Sequence, residues 1–370
     1  MKTLQNVGVL VFFSILLVPS VVWFGFMDGD HGRSLENRPL AVFPEISTAG
    51  WDGFLPQVDA WYTDNAPFKS DAVRLKNSFM MSLFNEVQSD DVMVGQDGWL
   101  YYKKIGDGDP LRDYKGLLSF TDEELENYLG YLRSAKDNLD RQGIEFYVLV
   151  APNKEIVYPQ YIPSGIKIVS GETMTSRLGD YLASEGVDYF KYLLDAERNA
   201  DRITYMQTDT HWNDYGAYLG YLELLDMMGI SLPECEPDFV IPNSQSGDLA
   251  RMVNVPLVER YGIRLKSDLV YEEIGLPTSS GSAASLQKFS SMADNRDSRT
   301  MLIIGDSFRE ALLQFPASDF GEVVAVHKDE FSSELVSEID SKPDVVVVVL
   351  VERNITRCYP ALVSLAQSEF

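Results

Sequence analysis

Helix-like and strand-like patterns of apolar residues alternate along most of the chain. The first clear helix has a capping-box sequence at Thr121 and Glu124 and presents one apolar face. The residues of that face are Leu125, Tyr128, Leu129, Leu132 and Leu139. Residues 144–152, which follow, are almost entirely apolar, as expected for a strand buried on both faces.

The same order of elements continues toward the end of the chain. Helices are predicted over residues 175–184, 214–228 and 332–339, and strands over residues 187–190, 301–305, 322–327 and 344–351. Alternating helices and buried strands predict an α/β domain around a mainly parallel sheet. Residues 233–299 interrupt the pattern with Ser, Gly and Pro, and we expect an irregular insertion there, such as a lid or a substrate wall.

An uncharged apolar run over residues 7–26 is about long enough to cross a bilayer as a helix. Lys2 precedes the run and Asp28 and Asp30 follow it, which favours export of the remaining chain. A cleaved signal peptide is the alternative, but the run continues well past the small residues near Val18, which favours an uncleaved anchor. Both alternatives place the rest of the protein in the periplasm or another extracytoplasmic compartment.

These boundaries divide the chain into three parts. Residues 1–27 are expected to anchor it in the cytoplasmic membrane, which would be the inner membrane of a cell with two. Residues 28–60, rich in Gly, Pro and Asp, are expected to form an extended lead-in, and residues 61–370 the α/β domain. Export permits a disulfide between Cys235 and Cys358, although two isolated cysteines neither predict nor exclude one.

Composition and charge narrow the classes of partner. A chain of 370 residues with 45% apolar residues can fill a sizeable core. Its formal net charge of -25 repels nucleic acid and anionic lipid headgroups, so a nucleic-acid partner is not expected.

The candidate chemistry lies at Ser307, where an apolar strand runs through Gly305 and Asp306 straight into a helix. Ligands of open α/β sheets gather at the carboxyl ends of strands, and unpaired N–H groups at a helix start can hold a developing negative oxygen. A bare Gly-Asp-Ser sequence is by itself only a turn with a helix cap. A serine hydroxyl becomes a good nucleophile only beside a base. Whether Ser307 is a nucleophile therefore depends on which of the chain's three histidines can lie beside it.

Among these histidines, His211 has the best-placed partner. In the sequence DTHW, Asp209 lies two residues earlier, so on extended backbone both side chains point the same way and Asp209 can fix the tautomer of His211. His31 lies in the lead-in, and His327 ends a strand without a nearby partner. The pattern predicts Ser307 as nucleophile, His211 as general base and Asp209 as its orienting group. Too few further ligands lie nearby for a metal, so neither metal nor cofactor is expected.

Residues beside these motifs are candidates for substrate contacts. Trp212 and Tyr215 have flat rings on which a sugar could stack. Arg353 and Asn354 follow the last predicted strand and could reach the site. Lys154 follows the strand at residues 144–152, and for this residue a substrate contact and a structural contact are equally compatible with the sequence.

Several motifs together resemble the alginate O-acetyltransferase family AlgJ/AlgX, whose members are SGNH-hydrolase-like proteins. The motifs, spread over residues 35–355, are GDSF, DTHW, ENRPLAVFPE, GQDGWLYY, APNKEIVYPQYIP, SGDLA and PDVVVVVLVERN. The resemblance implies a three-layer α/β/α domain and the same roles for Ser307, His211 and Asp209. The chain is more similar to the anchored AlgJ type, since AlgX carries an additional C-terminal carbohydrate-binding module. It departs from ordinary SGNH hydrolases because the Asp-His pair precedes the serine and is spaced DxH.

The resemblance also implies a function. It is that of an O-acetyltransferase, which moves an acetyl group through a serine acyl-enzyme to hydroxyls of an exported polysaccharide, alginate or a similar polymer. A membrane-bound O-acyltransferase partner is implied as the source of the acetyl group. Two alternatives stay open: a polysaccharide acetyl esterase that uses the same three residues with water as acceptor, and a non-catalytic polysaccharide-binding scaffold.

Overall fold

The structure is a computed structural model, and the part of the chain that it describes has several gaps. The described residues are 7, 9–14, 17, 18, 21, 41–65, 69–242, 246–266, 271–275, 286–294, 296–339 and 341–370. They form two compact units, one containing residues up to 88 together with 250–256, the other containing residues 89–249 and 257–370. The domain boundary expected after residue 60 stays a prediction.

The predicted anchor and the start of the lead-in lie largely outside the described residues. In the part that is described, no helix combines the length and the apolar character needed to cross a membrane. From residue 46 onward the lead-in is helical and not extended as predicted, because α1 (Ile46–Asn65) accommodates the residues that suggested a loop: Gly50 forms a kink with φ 64°, and Pro56 lies inside the helix.

The smaller unit continues with α2 (Lys69–Phe84). Two side-chain amides connect this helix to the second segment of the same unit. Asn77 Nδ2 donates to Val253 O at 2.8 Å, and Asn254 Nδ2 donates to Ser70 O at 2.7 Å.

The larger unit contains all the described strands and most of the described helices. Its strands are β1 (Val92–Val94), β2 (Leu100–Tyr102), β3 (Glu145–Ala151), β4 (Phe190–Tyr192), β5 (Phe239–Val240), β6 (Arg264–Leu265), β7 (Tyr271–Gly275), β8 (Gln287–Ser291), β9 (Asp297–Gly305), β10 (Phe320–His327) and β11 (Val345–Val351). The remaining helices are α3 (Pro110–Tyr114), α4 (Asp122–Arg141), α5 (Lys154–Val157), α6 (Met174–Ser184), α7 (Leu194–Arg198), α8 (Asp214–Met227), α9 (Asp248–Met252), α10 (Arg309–Asp319) and α11 (Tyr359–Gln367).

Seven of the described strands form one sheet in the order β4-β3-β11-β9-β10-β8-β7. The first five are parallel, and β8 and β7 extend the sheet in antiparallel orientation. The mainly parallel sheet predicted from the sequence is confirmed. The expectation of an irregular insertion over residues 233–299 is wrong for β7 and β8, because their apolar residues are separated by polar ones that hide the strand pattern.

Helices cover both faces of the sheet and produce three layers. Helices α8 and α10 pack on one face, and α4, α6 and α11 pack on the other. The capping box of α4 is confirmed: Thr121 Oγ1 accepts from Glu124 N at 3.2 Å, and Glu124 Oε2 accepts from Thr121 N at 2.7 Å. The five predicted face residues of this helix are buried.

Two local expectations differ from the structure. The helix predicted over residues 332–339 is a single 3-10 turn at Leu335–Glu338, which suffices to bury the apolar residues of that short segment. The strand predicted at residues 187–190 begins only at its last residue. Cys235 and Cys358 both lie in the described part of the chain and are free thiols.

Candidate active site

Ser307 lies at the carboxyl edge of the sheet, between β9 and α10. Gly305 is the last residue of β9, and a Cβ atom there would lie 2.4 Å from Val349 O on the neighbouring strand β11. A larger residue would therefore push the two strands apart. The tight turn leaves Ser307 exposed while the residues on either side of it are buried. This is the edge at which open α/β sheets bind their ligands.

Asp306 fixes the turn by accepting three hydrogen bonds. Its Oδ1 accepts from Phe308 N at 3.0 Å, and its Oδ2 accepts from Val351 N at 2.9 Å and Asn354 Nδ2 at 2.8 Å. The carboxylate is buried, so these donors replace the water that it would otherwise bind. The predicted substrate contact Asn354 thus uses its amide N–H to support the turn.

Ser307, His211 and Asp209 form one chain of hydrogen bonds. His211 Nε2 lies 2.7 Å from Ser307 Oγ, and His211 Nδ1 lies 2.6 Å from Asp209 Oδ1. The backbone N–H of His211 also donates to Asp209 Oδ1 at 3.1 Å. The structure therefore brings together the three residues that the sequence singled out, although Ser307 is separated from His211 by 96 positions.

Lys154 lies beneath the loop that carries Asp209. Its Nζ donates to the carbonyl oxygens of Met206, Gln207 and Asp209 at 3.1, 3.3 and 2.6 Å. Burial lowers the pKa of Lys154 to about 8, although nearby carboxylates act in the opposite direction. Because three backbone carbonyls occupy the three donors of this ammonium group, Lys154 makes the structural contact and does not face a substrate.

Glu259 and Gly247 hold the other side of the same loop. Glu259 Oε1 accepts from Gln207 N at 2.8 Å, and its Oε2 accepts from Thr208 N at 2.7 Å. Gly247 N donates to Thr208 Oγ1 at 2.9 Å, and a Cβ atom on Gly247 would lie 2.5 Å from Thr208 O. The glycine of the SGDLA motif is thus required by a close backbone approach.

Asp248 adds a second carboxylate to the site, one that the sequence did not reveal. Its backbone N–H donates to Asp209 Oδ2 at 2.7 Å. Its own carboxylate accepts from Thr210 N at 2.7 Å and from Thr210 Oγ1 at 2.6 Å, and its Oδ2 lies 3.7 Å from His211 Nδ1. The signal that could have identified Asp248 is the SGDLA motif, in which it is the only acidic residue.

These carboxylates set the charge of His211. Burial alone would lower the pKa of His211, but the hydrogen bond and charge of Asp209, joined by the charge of Asp248, hold it above its ordinary value. Burial opposes ionisation of Asp209 too, yet the hydrogen bonds that it accepts keep its pKa well below the ordinary range. Burial and the neighbouring Asp209 charge raise the pKa of Asp248. An ionised Asp209 fixes the proton of neutral His211 on Nδ1 and leaves Nε2 as an acceptor toward Ser307.

Among the described residues, Asp209, His211 and Asp248 lie close enough together to hold a metal ion. Ligand atoms of Asp209, His211 and Asp248 lie within 4.8 Å of one another. Each is already engaged: His211 Nδ1 with Asp209, and the carboxylate of Asp248 with Thr210. A metal ion would have to break the chain of hydrogen bonds that reaches Ser307, so the donor set fits proton transfer better than metal binding.

A cleft of about 490 Å³ opens beside Ser307 and His211, a size typical of small-ligand sites. Apolar side chains such as Met206 and Phe289 line it together with the polar side chains of Tyr271 and Gln314. The cleft belongs to the larger unit and gives a substrate access to the serine.

Trp212 and Tyr215 are buried and do not offer open rings on which a sugar could stack, although Trp212 is among the residues that line the cleft. Trp212 is 1% exposed, and its Nε1 donates to Phe308 O at 3.0 Å. Tyr215 is 4% exposed, and its hydroxyl donates to the carboxylate of Asp201. Both rings pack in the core at the start of α8, a burial that the local sequence did not indicate.

Arg353 lies behind Phe308 and is not among the residues that line the cleft. Its guanidinium carbon is 5.5 Å from the ring centroids of both Tyr102 and Phe308, and the Phe308 ring is 5.2 Å from the His211 ring. The positive charge of Arg353 lowers the pKa of His211, against the effect of the carboxylates. A direct substrate contact of Arg353 stays a prediction.

The three-layer fold and the position of the serine, histidine and aspartate define the class of protein as SGNH-hydrolase-like. A family model described as "SGNH hydrolase-like domain, acetyltransferase AlgX" matches residues 92–319, and the chain belongs to this family.

Two curated relatives carry the name probable alginate O-acetylase AlgJ. The chain is 23% identical to that of Pseudomonas syringae pv. tomato over 209 residues, which cover 56% of this chain and 50% of the relative. It is 26% identical to that of Pseudomonas aeruginosa over 163 residues, which cover 43% of this chain and 38% of the relative. The match therefore spans half or less of the length of these relatives.

A solved structure of a DHHW family protein from Eubacterium siraeum has a similar fold. It matches with a TM-score of 0.51 and 16% sequence identity, over 76% of this chain and 97% of that chain. At this identity the likeness concerns the fold alone.

Proposed function

We propose that this protein is an O-acetyltransferase that carries an acetyl group on Ser307 and passes it to hydroxyl groups of a polysaccharide. The observation that carries the proposal is the 2.7 Å contact between Ser307 Oγ and His211 Nε2, continued by the 2.6 Å contact of His211 Nδ1 with Asp209. Membership of the AlgX family and the names of the AlgJ relatives support acetyl as the transferred group.

In the first half-reaction, Ser307 Oγ attacks the acetyl carbonyl carbon of a donor while His211 Nε2 takes its proton. The ionised Asp209 stabilises the imidazolium that forms. Collapse of the tetrahedral intermediate breaks the bond to the donor's leaving group, which receives the proton from His211, and leaves an acetyl ester on Ser307. In the second half-reaction a sugar hydroxyl gives its proton to His211 and attacks this ester. Ser307 Oγ leaves and regains the proton.

The negative oxygen of both intermediates needs a hydrogen-bond donor at the serine. The N–H groups of Phe308 and Arg309, which the helix start was expected to provide, donate to Asp306 Oδ1 and Asp306 O. The backbone N–H of Ser307 donates to none of the residues that the structure describes. We assign the Ser307 N–H as the donor to the oxyanion.

The proposal also includes the cellular setting expected from the sequence. The apolar run over residues 7–26 supports anchoring in the cytoplasmic membrane, with the larger unit in the periplasm or another extracytoplasmic space. Because acetyl-CoA is cytoplasmic, the acetyl donor would be a membrane-bound O-acyltransferase partner, as the family resemblance implies.

The test is acetyl transfer by the detergent-solubilised full chain from 4-nitrophenyl acetate to an acetyl-free oligosaccharide, detected by mass spectrometry of the sugar. We expect Ser307→Ala to lower the transfer rate by about a thousandfold or more. Ser184→Ala, a change at an exposed serine at the end of α6, serves as the matched control and should retain wild-type transfer.

Two results would contradict the proposal. Acetate release that the oligosaccharide neither diverts nor accelerates would favour the esterase. Transfer that persists at the wild-type rate in Ser307→Ala would exclude a catalytic role of this serine and favour a scaffold.

A further inference from the structure

We infer that the acceptor that reaches Ser307 is an uncharged glycan and not a polyuronate such as alginate. The inference rests on the proposed function and specifies its substrate class. A polyuronate carries one carboxylate on each sugar, so a site that holds it needs cations that are free to pair with those carboxylates. The charges in the cleft of this protein do not meet that requirement.

Apart from Asp209 and His211, three charged side chains line the cleft among the described residues: Asp214, Glu310 and Arg264. They comprise two carboxylates and one guanidinium. The lining therefore carries more acid than base even before the chain's net charge of -25 is considered.

The guanidinium of Arg264 already has a partner. Arg264 NH1 lies 3.0 Å from Asp214 Oδ1, while Asp214 Oδ2 accepts from Leu265 N at 2.9 Å. The Asp214 side chain is 7% exposed, whereas the Arg264 side chain is 53% exposed. A sugar carboxylate that bound the exposed side of Arg264 would compete with this buried carboxylate for the same positive charge, which weakens the attraction.

Glu310 places a negative charge next to Ser307. It lies in the first turn of α10, its side chain is about half exposed, and its backbone N–H donates to Ser307 O at 3.2 Å. Its carboxylate contacts Arg309 NH2 at 3.0 Å, but the Arg309 side chain is 5% exposed and also donates to Gly305 O and Asp306 O. A uronate arriving at Ser307 would therefore meet the carboxylate of Glu310, with the nearest guanidinium held beneath the surface.

The other lining residues suit an uncharged sugar. Tyr271 is half-buried and packs its ring edge-on against Phe289, with centroids 5.7 Å apart. Gln314 donates one amide hydrogen to Ala311 O at 2.7 Å, which leaves its carbonyl oxygen available to sugar hydroxyls.

The experiment compares one oligouronate with its carboxyl-reduced form, in which each carboxylate has become a CH₂OH group and the linkages are unchanged. The full chain receives 4-nitrophenyl acetate and either acceptor at low salt, and acetate release without acceptor is measured in parallel. We expect the reduced acceptor to be acetylated about tenfold faster or more, and the gap to narrow in about 0.5 M NaCl as the repulsion is screened.

Variants locate the effect in the cleft. Glu310→Gln should raise acetylation of the oligouronate relative to the reduced acceptor severalfold. Glu369→Gln is the control, because it removes the same charge from an exposed position far from the cleft. Its neighbour Ser368 accepts a hydrogen bond from Gln142, at the amino-terminal edge of the sheet. This variant should keep the wild-type ratio.

The inference would be overturned if the oligouronate were acetylated as fast as the reduced acceptor at low salt. It would equally be overturned if Arg264→Gln selectively slowed acetylation of the oligouronate, because Arg264 would then bind its carboxylate. Acetylation of neither acceptor, with acetate still released, would instead overturn the proposed transferase function itself and this inference with it.

Discussion

At the scale of single residues, the reactivity of the site depends on the charge of His211. Asp209 and Asp248 raise the pKa of His211 against the effect of its burial, and Arg353 lowers it. His211 accepts a proton from Ser307 only when it is neutral. The proposed reaction should therefore slow as the pH falls through a His211 pKa that lies above the ordinary value of 6.5.

Asp248→Asn removes one of the two negative charges near His211. We expect the pKa of His211 to fall, so that the acid limb of a plot of kcat/KM against pH moves to lower pH. Arg353→Gln should move the same limb to higher pH, because it removes a positive charge. The measurement is acetate release from 4-nitrophenyl acetate across the pH range. Asp137→Asn, at an exposed position of α4, is the control, and acid limbs that coincide in all four proteins would contradict the electrostatic account.

The three candidate reactive residues could be predicted from the sequence, whereas the residues that contact them could not. Ser307, His211 and Asp209 were found because a strand-to-helix turn and a DxH spacing are local signals. Asp248 was missed because it contacts Thr210 across 38 positions of sequence, where no local pattern exists. The burial of Trp212 was not predicted for a related reason: the packing of a ring in the core depends on the tertiary structure.

At the scale of elements, the loop that carries Asp209 and His211 before α8 is positioned by buried groups from distant segments. Lys154 holds its carbonyl oxygens from one side, and Glu259 holds its N–H groups from the other. The loop has little regular secondary structure, so these side chains take the place of a helix or a strand in satisfying its backbone. The geometry of Asp209 and His211 therefore depends on Lys154.

Lys154→Met replaces the ammonium group with an apolar end of similar length and removes its hydrogen bonds to the carbonyl oxygens of Met206 and Asp209, whereas Gln207 O keeps the N–H of Leu100 as a donor. We expect kcat for acetyl transfer to fall by about a hundredfold, with a smaller change in KM, because the base moves relative to Ser307. The free energy of unfolding, measured in urea, should fall by about 1–3 kcal/mol. Lys167→Met, at an exposed position, is the matched control. Wild-type kcat in Lys154→Met would show that the loop does not need this support.

Some helices and strands of this fold can be predicted from the sequence, and others cannot. Helix α4 was predicted from its capping box and apolar face, and β3, β9 and β11 from nearly continuous apolar runs. Strands β7 and β8 were overlooked because their mostly polar residues, YEEIG and QKFSS, show no regular apolar pattern. Strands near the edge of a sheet form by pairing with a neighbouring strand, and their own residues alone do not predict that pairing.

At the scale of the whole molecule, the net charge of -25 works against the compact state. Like charges repel over distances comparable to the Debye length, which is about 10 Å at 0.1 M salt. The described ion pairs offset part of this repulsion, and most of them are at least partly exposed and therefore weak. The charge also opposes the approach of polyanions, in agreement with the inferred preference for an uncharged acceptor.

Salt should therefore stabilise the protein. We expect the free energy of unfolding to rise by about 1 kcal/mol between about 0.02 and 0.5 M NaCl, as screening reduces the repulsion. The measurement is urea unfolding of the full chain followed by circular dichroism. KCl at equal ionic strength should have the same effect. A loss of stability on adding either salt would mean that attractive ion pairs outweigh the repulsion.

The mass of the intact protein shows whether Ser307 carries the acetyl group. The full chain is mixed with 4-nitrophenyl acetate without an acceptor and is quenched in acid within seconds. We expect a gain of about 42 Da, mapped by peptide sequencing to Ser307, absent from Ser307→Ala and lost when an acceptor glycan is added before the quench. Acetate release with no adduct on Ser307, or with the adduct on another residue, would contradict this expectation.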